Sequence, residues 1–173
     1  MNNNTFVHKY IKPLITNEDI TIDMTIGNGN DTQFLSSLSK YVYGFDINPI
    51  AIDNTRKRIT NDNVKLILDN HINVDKYIQE KVKLVIFNLG YLPNSDHSTI
   101  TKANETLIAF KKSYDLLVTN GYLIITFYLG QDGGKQEYEL LKDYIEQNNI
   151  CVLQTYTQNK VDSPITYIIK KLV

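Results

Sequence analysis

Two carboxylates bracket a pair of glycines at a spacing that can hold a nucleoside. Asp23 lies four residues before Gly27 in Gly27-Asn28-Gly29, and Asp46 lies seventeen residues after Gly29. Glycine tolerates positive φ and lets a ligand approach the backbone closely. An acid at the end of the following strand can accept hydrogen bonds from both ribose hydroxyls of an adenosine. The dinucleotide fingerprint asks for a third glycine at position 32, and this chain has Thr32 there. That departure, with an acid inside the first strand, suits S-adenosylmethionine better than a dinucleotide. This cofactor has no pyrophosphate to seat on a helix, but it has an ammonium that Asp23 can help hold. Further along, Asp69 closes another apolar run and can meet an adenine edge.

These residues need strands that deliver them to one edge. Ile20, Ile22, Met24 and Ile26 alternate with polar residues and read as a first strand. Asn30-Asp31-Thr32 reads as a helix cap before Phe34, Leu35 and Leu38. Residues 41–46 form a second strand, and Pro49 suits the first turn of a helix with Ile50, Ile52 and Ile59 inward. Residues 64–68 form a third strand, followed by Asp69, Asn70 and His71, the last read as a loop histidine without a duty. A short helix spans 74–79. The continuous run 82–89 is a central strand that ends in Asn88-Leu89-Gly90-Tyr91-Leu92-Pro93. In open α/β sheets the chemistry lies outside the carboxyl ends of the strands, so this segment is the candidate substrate side. A polar loop at 95–99, with His97, is placed to cover the substrate. A helix over 102–118 carries Leu107, Ile108, Tyr114 and Leu117 inward, with Gly121 as its cap. Then come a fifth strand at 122–127, a mobile glycine-rich loop from Tyr128 to Lys135, a helix at 136–147, and strands at 150–156 and 164–171 that close the sheet as an antiparallel hairpin. An amphipathic helix at 5–16, weakened by Pro13, opens the chain. His8 on it reads as a packed or surface residue.

The composition allows one domain and no more. A chain of 173 residues builds one sizeable core, and 42% hydrophobic with 21% charged residues describes an ordinary globule. The net charge of −1 gives no general attraction to nucleic acid, so RNA contact falls to scattered bases: Lys9, Lys12, Arg56, Arg58, Lys111, Lys112, Lys135 and Lys160. Cys151 is the single cysteine and sits in an apolar run. It reads as a buried structural thiol and suits a reducing cytoplasm. No basic-then-apolar leader opens the chain, and no stretch reaches the length of a membrane span.

Residues 23–32 with Phe34 and Leu35, the run Phe87 to Pro93, and the stretches 130–135 and 159–165 together resemble a family of small bacterial class I methyltransferases. That family was long labelled as rRNA methylases and is now associated with the wobble uridine of tRNA. The resemblance implies a Rossmann-like α/β fold with a seven-stranded, mostly parallel sheet, a C-terminal antiparallel hairpin and helices on both faces. It implies N-methylation of 5-aminomethyl-2-thiouridine to 5-methylaminomethyl-2-thiouridine, with S-adenosylmethionine as cofactor, no metal, the tRNA anticodon stem-loop as partner, and a possible homodimer. The Asn88-x-x-Tyr91 spacing is similar to the Asn-Pro-Pro-Tyr loop of amino-directed methyltransferases, although Leu89 and Gly90 replace the prolines. Asn88 and Tyr91 are therefore the candidate catalytic pair. The candidate cofactor set is Asp23, Thr25, Gly27, Asn28, Gly29, Asp31, Thr32, Asp46, Ile47, Asp69, Asn70 and Asn88. The candidate substrate set is Tyr91, Leu92, Pro93, His97, Tyr128, Gly133, Gly134 and Lys135. Family members often carry Tyr-His-Gly-His where this chain has Tyr128-Leu129-Gly130-Gln131, so no histidine stands there for proton transfer.

Three alternatives share part of this reading. An rRNA base methyltransferase uses the same cofactor residues, as does a small-molecule N-methyltransferase. A binding module without catalysis would not need Asn88. A nicotinamide dehydrogenase fits poorly, with Thr32 at the third glycine position.

Overall fold

The computed structural model describes residues 3–90, 103–158 and 162–173. Seven strands form one sheet in the order β3-β2-β1-β4-β5-β7-β6. Their ranges are β1 (Ile20–Asp23), β2 (Tyr41–Asp46), β3 (Val64–Leu68), β4 (Val82–Leu89), β5 (Leu117–Phe127), β6 (Val152–Thr157) and β7 (Ile165–Lys170). The pairs among β1 to β5 are parallel, while β7 runs antiparallel to both β5 and β6. The expected mixed sheet is present, with β7 lying between β5 and β6. The order reverses between β1 and β4, which is where an open α/β sheet leaves a crevice at its carboxyl edge.

The helices are α1 (Asn3–Ile11), α2 (Asn30–Ser36), α3 (Pro49–Arg58), α4 (Val74–Tyr77), α5 (Ala103–Leu116) and α6 (Gly134–Gln147). Two apolar clusters cover the two faces of the sheet. On one face Val85, Phe87 and Leu89 of β4 meet Val74, Phe110, Leu141 and Ile145 from α4, α5 and α6. On the other, Leu84 and Ile86 meet Val7 and Ile11 of α1 and Leu35 of α2. Side chains alternate along a strand, so Asn88 falls on the α1/α2 face, in line with Leu84 and Ile86. By the same parity Thr126 in β5 faces α1 and accepts a hydrogen bond from Asn3 Nδ2 at 3.1 Å.

Several expectations need correction. β1 ends at Asp23, although Met24 and Ile26 still donate to Ile86 O and Phe45 O at 2.9 and 3.0 Å. α1 ends at Ile11, because Pro13 turns the chain into a short 3-10 segment, and it buries Asn3, Val7 and Ile11. α2 is capped by left-handed Gly29 with no side-chain bond, which places Asn30, Asp31 and Thr32 inside the helix. On α3, Ile52 is buried as expected, with Ala51 and Thr55 beside it, but Ile50 is 60% exposed and Ile59 is the half-buried residue that ends the helix. α4 is shorter than expected and follows a 3-10 turn at His71–Asn73. α5 buries Thr106, Ala109, Phe110 and Ser113, while Ile108 is exposed and Leu117 belongs to β5. Gly121 is a β5 residue and not a helix cap; the left-handed position is Asn120, at φ 62°. Residues 128–134, in the expected glycine-rich loop, make two hydrogen-bonded turns, from Gln131 N to Tyr128 O and from Gly134 N to Gln131 O. Cys151 is half-buried. Among the described residues no helix is long and apolar enough to cross a membrane.

Candidate active site

A cleft of about 520 Å³ opens at the carboxyl edge of β1, β2, β3 and β4, within the range of small-molecule sites. Its first wall is the turn after β1. Gly27 and Gly29 take φ 54° and 74°, and a Cβ on Gly29 would come within 2.5 Å of Thr55 Oγ1. Asp46 braces this turn: Oδ2 accepts from Gly27 N at 2.8 Å and Oδ1 from Asn48 N at 2.9 Å. Arg58 braces it from outside, with Nη1 donating to Asn28 O at 2.8 Å. Burial raises the Asp46 pKa above the usual carboxylate value, against the lowering effect of its backbone hydrogen bonds. Each carboxylate oxygen has a second lone pair, so Asp46 keeps acceptor capacity toward the cleft.

Asp23 lies beneath the cleft and not in its wall. It is fully buried, and its oxygens accept from Thr25 N at 3.1 Å and Thr32 Oγ1 at 2.6 Å. Burial, and then the charge of Asp31, push its pKa up to about 7. Asp23 and Thr32 thus hold the turn from below, where sequence reasoning had them touching cofactor. Thr25 reaches across the switch point to accept from Asn88 N at 2.8 Å.

The second wall is the end of β3. Asp69 accepts from Asn70 N, Asn73 Nδ2 and Tyr77 OH at 2.7, 3.0 and 2.8 Å. Asn70 donates to Glu105 Oε2 at 2.9 Å. Ile47, 46% exposed, supplies an apolar surface at the same end. His71 is not an idle loop residue. It is buried and lines the cleft, with Nδ1 at 3.1 Å from the Met24 carbonyl, and burial lowers its pKa. Facing a carbonyl, Nδ1 must carry the hydrogen.

The third wall joins β4, β5, α2 and α1. Asn88 Oδ1 accepts from Tyr128 OH at 2.8 Å, and its Nδ2 lies 3.3 Å from Asp31 Oδ2. Asp31 is 6% exposed, and its other oxygen lies 2.6 Å from His8 Nε2. The His8 ring stacks on Phe34 at 3.9 Å. Burial raises the Tyr128 pKa, and the Asp31 charge adds to the effect.

The structure therefore gathers Thr25, Gly27, Asn28, Asp31, Asp46, Ile47, Asp69, Asn70, Asn88 and Tyr128 around one cleft. Gly133 caps α6, and Gly134 packs so closely on the Tyr128 carbonyl that a Cβ would come within 2.1 Å of it. Neither glycine lines the cleft, nor does Lys135. Tyr91, Leu92, Pro93, His97 and the 95–99 loop lie outside the described residues, as does Lys160. None of the other expected RNA-contacting bases lines the cleft. Arg56 pairs with Asp53 at 3.0 Å, and Lys112 is half-buried against Asp75 at 2.8 Å. Sequence reasoning missed His8, Glu105 and Gln131. Only Gln131 carried a sequence signal, at the position of a family histidine.

The fit to S-adenosylmethionine rests on three features of this cleft: a glycine turn with no room for a Cβ at Gly29, a carboxylate at the end of β2, Asp46, and a polar β3 end beside an apolar Ile47. A plant tRNA (mnm5s2U34)-methyltransferase from Arabidopsis thaliana is 32% identical over 154 residues, which is 79% of this chain and 56% of that protein. The chain thus spans little more than half the length of that relative. A "putative rRNA-methylase" from Clostridium thermocellum superposes with a TM-score of 0.91 at 41% identity, over 99% of this chain and 98% of that one. SMU.1697c, a "putative methyltransferase" from Streptococcus mutans solved with S-adenosylhomocysteine, gives 0.90 at 36% identity, over 99% of each chain. With its residues 42–171 matching the family described as "Putative rRNA methylase", the chain belongs to that family of methyltransferases.

Proposed function

We propose that the chain transfers a methyl group from S-adenosylmethionine to the aminomethyl nitrogen of 5-aminomethyl-2-thiouridine at the tRNA wobble position. The observation that carries this reading is Asn88 at the end of β4, its carboxamide held between Tyr128 and Asp31. A carboxamide oxygen fixed there is an acceptor for an amine N–H, and it aligns the nitrogen lone pair. The plant relative, a tRNA (mnm5s2U34)-methyltransferase, supports the same substrate.

The cofactor, when bound, supplies an electrophilic methyl on a positively charged sulfur. Gly27 and Asn28 would lie along it, Asp46 would take the ribose hydroxyls, and Asp69 and Asn70 the adenine edge, with Ile47 on the ring face. Asn88 orients the acceptor nitrogen, and Tyr128 orients Asn88. Positioning of this kind supplies much of the rate of a displacement between two bound groups. Tyr91 would pack on the base.

The family description favours one alternative, a base of ribosomal RNA. An assay with labelled S-adenosylmethionine separates the two. The substrates are rRNA and total tRNA from cells blocked at the aminomethyl stage, with nucleosides identified by mass spectrometry. The expected product is 5-methylaminomethyl-2-thiouridine; label in rRNA alone overturns the tRNA reading. Asn88→Ala is expected to lower turnover about 100-fold while leaving S-adenosylhomocysteine affinity within about threefold. Equal loss of both would remove Asn88 from the chemical role.

A further inference from the structure

An aminomethyl group is an ammonium near neutral pH and cannot attack until it loses a proton. Neither family histidine is present at residues 129 and 131 to take it. We propose that Asp31 is the proton acceptor and that His8, from the N-terminal helix, couples it to solvent. This rests on the substrate class proposed above.

The geometry supports each part. Asp31 Oδ2 lies 3.3 Å from Asn88 Nδ2, so it faces the group that orients the amine. Its Oδ1 is 2.6 Å from His8 Nε2. The carboxylate is almost wholly buried, where its attraction for a cation is much stronger than in water. His8 differs, with 23% of its side chain exposed. It lines a shallow groove that shares Asn4 and Asn30 with the main cleft. The pair therefore runs from the reacting end of the cleft to the surface. Stacking on Phe34 at an interplanar angle of 4° fixes the ring. Among the described residues, the other titratable groups that act on Asp31 are Asp23 beneath it and Tyr128 beyond Asn88.

The step balances as a proton transfer. One N–H bond of the ammonium breaks, its electron pair stays on nitrogen as the attacking lone pair, and an O–H bond forms at Asp31 Oδ2. As that happens, the imidazolium of His8 gives a proton to water from Nδ1, the nitrogen not bonded to Asp31. The pair keeps the same total charge throughout. The two groups re-equilibrate with solvent after the product leaves.

The test uses the full chain and an anticodon stem-loop RNA carrying 5-aminomethyl-2-thiouridine, with a 5-methyl-2-thiouridine RNA as control. Wild-type turnover of the first RNA establishes the substrate; its absence overturns the substrate reading and this role with it. Without cofactor, the wild type is expected to bind the aminomethyl RNA about fivefold or more tighter than the control, and Asp31→Asn to lose that preference. In single-turnover assays His8→Gln is expected to be about 30-fold slower at pH 7, with the deficit narrowing as the amine loses its own proton at higher pH. S-adenosylhomocysteine affinity stays within about twofold in both variants. His8→Tyr keeps a flat ring on Phe34 and takes the place of the glutamine variant if that one fails to fold. A deficit equal at every pH would make His8 a packing residue. Weakened S-adenosylhomocysteine binding in Asp31→Asn with RNA preference intact would make Asp31 a cofactor ligand. Either result overturns the proposal.

Discussion

The two ends of the cleft are built by different means. At the end proposed to hold the cofactor, carboxylates are held mostly by backbone N–H groups and near neighbours. Asp46 takes two amides, and Asp69 takes donors one, four and eight residues along the chain. At the end proposed to take the methyl acceptor, side chains hold side chains over long separations. His8 and Asp31 are 23 residues apart, Asn88 and Tyr128 40, and Asp31 and Asn88 57. Backbone donors survive most substitutions, so Asp46 and Asp69 keep some support when a single neighbouring side chain is changed. The acceptor end depends on four side chains from four elements, and each is open to single mutation.

The sharpest way to break the cofactor end is therefore Gly29→Ala. The new methyl meets Thr55 Oγ1 at 2.5 Å, and the residue is forced to keep φ 74°. Left-handed backbone costs about 1–2 kcal/mol and overpacking about 1–3 more. A loss of about 3 kcal/mol in urea unfolding is expected, together with loss of S-adenosylhomocysteine binding. Thr55→Gly should restore the steric part in the double variant and leave the backbone part, which a double-mutant cycle measures. No recovery at all would mean that the backbone conformation alone sets the cost.

The same contrast explains what could be read from the chain. β2, β3 and β4 are runs of apolar residues bounded by polar ones, and the structure returns them at 41–46, 64–68 and 82–89. The glycine turn and Asp46 were legible because the motif is local. His8 was not legible, because its partner lies on α2 and the contact exists only once α1 covers the sheet. The inward face of α5 was misread through Ile108, which is exposed, while Leu107 packs partly buried against the core. The buried stripe is Thr106, Ala109, Phe110 and Ser113, one aromatic ring among small or polar residues that fit close helix packing, with Thr106 bonded to Glu137. Gly121 sat in a Thr-Asn-Gly run typical of a helix end. The chain instead enters β5 at once, and Asn120 adopts the left-handed turn beside β7, donating to Lys171 O at 2.8 Å.

Another buried carboxyl lies between α5 and α6, on the opposite face of the sheet, and gives the fold a pH dependence of its own. Glu137 on α6 is 4% exposed and accepts from Thr106 Oγ1 at 2.7 Å. Burial raises its pKa from 4.5 to about 7, against that hydrogen bond. Below pH 4.5 the folded and unfolded chains both carry the proton. Between 4.5 and about 7 only the folded chain keeps it, so this contribution to stability falls as pH rises through that window. Glu137→Gln removes the dependence. The variant and wild type should unfold alike near pH 4, and by pH 8 the variant should be more stable by about 2 kcal/mol. Urea midpoints at the two pH values check this, and a wild type that gains on the variant with rising pH would reverse the assignment.

The smallest effect is expected where the cofactor end carries redundant support. Tyr77→Phe removes one of the three donors to Asp69. Tyr77 is 37% exposed, so water can replace the lost phenol, and an exposed hydrogen bond of this kind is worth about 0.5–1 kcal/mol. Asn70 N and Asn73 Nδ2 still hold Oδ1, so the carboxylate keeps its place and only Oδ2 is released. S-adenosylhomocysteine affinity should fall by no more than about threefold, read by calorimetry. The equivalent removal at the other end, Tyr128→Phe, leaves Asn88 Oδ1 without its phenol inside a half-buried site, where water replaces it less readily. A Tyr77 effect as large as that of Tyr128 would mean that both ends depend on single side chains, and the contrast between them would fail.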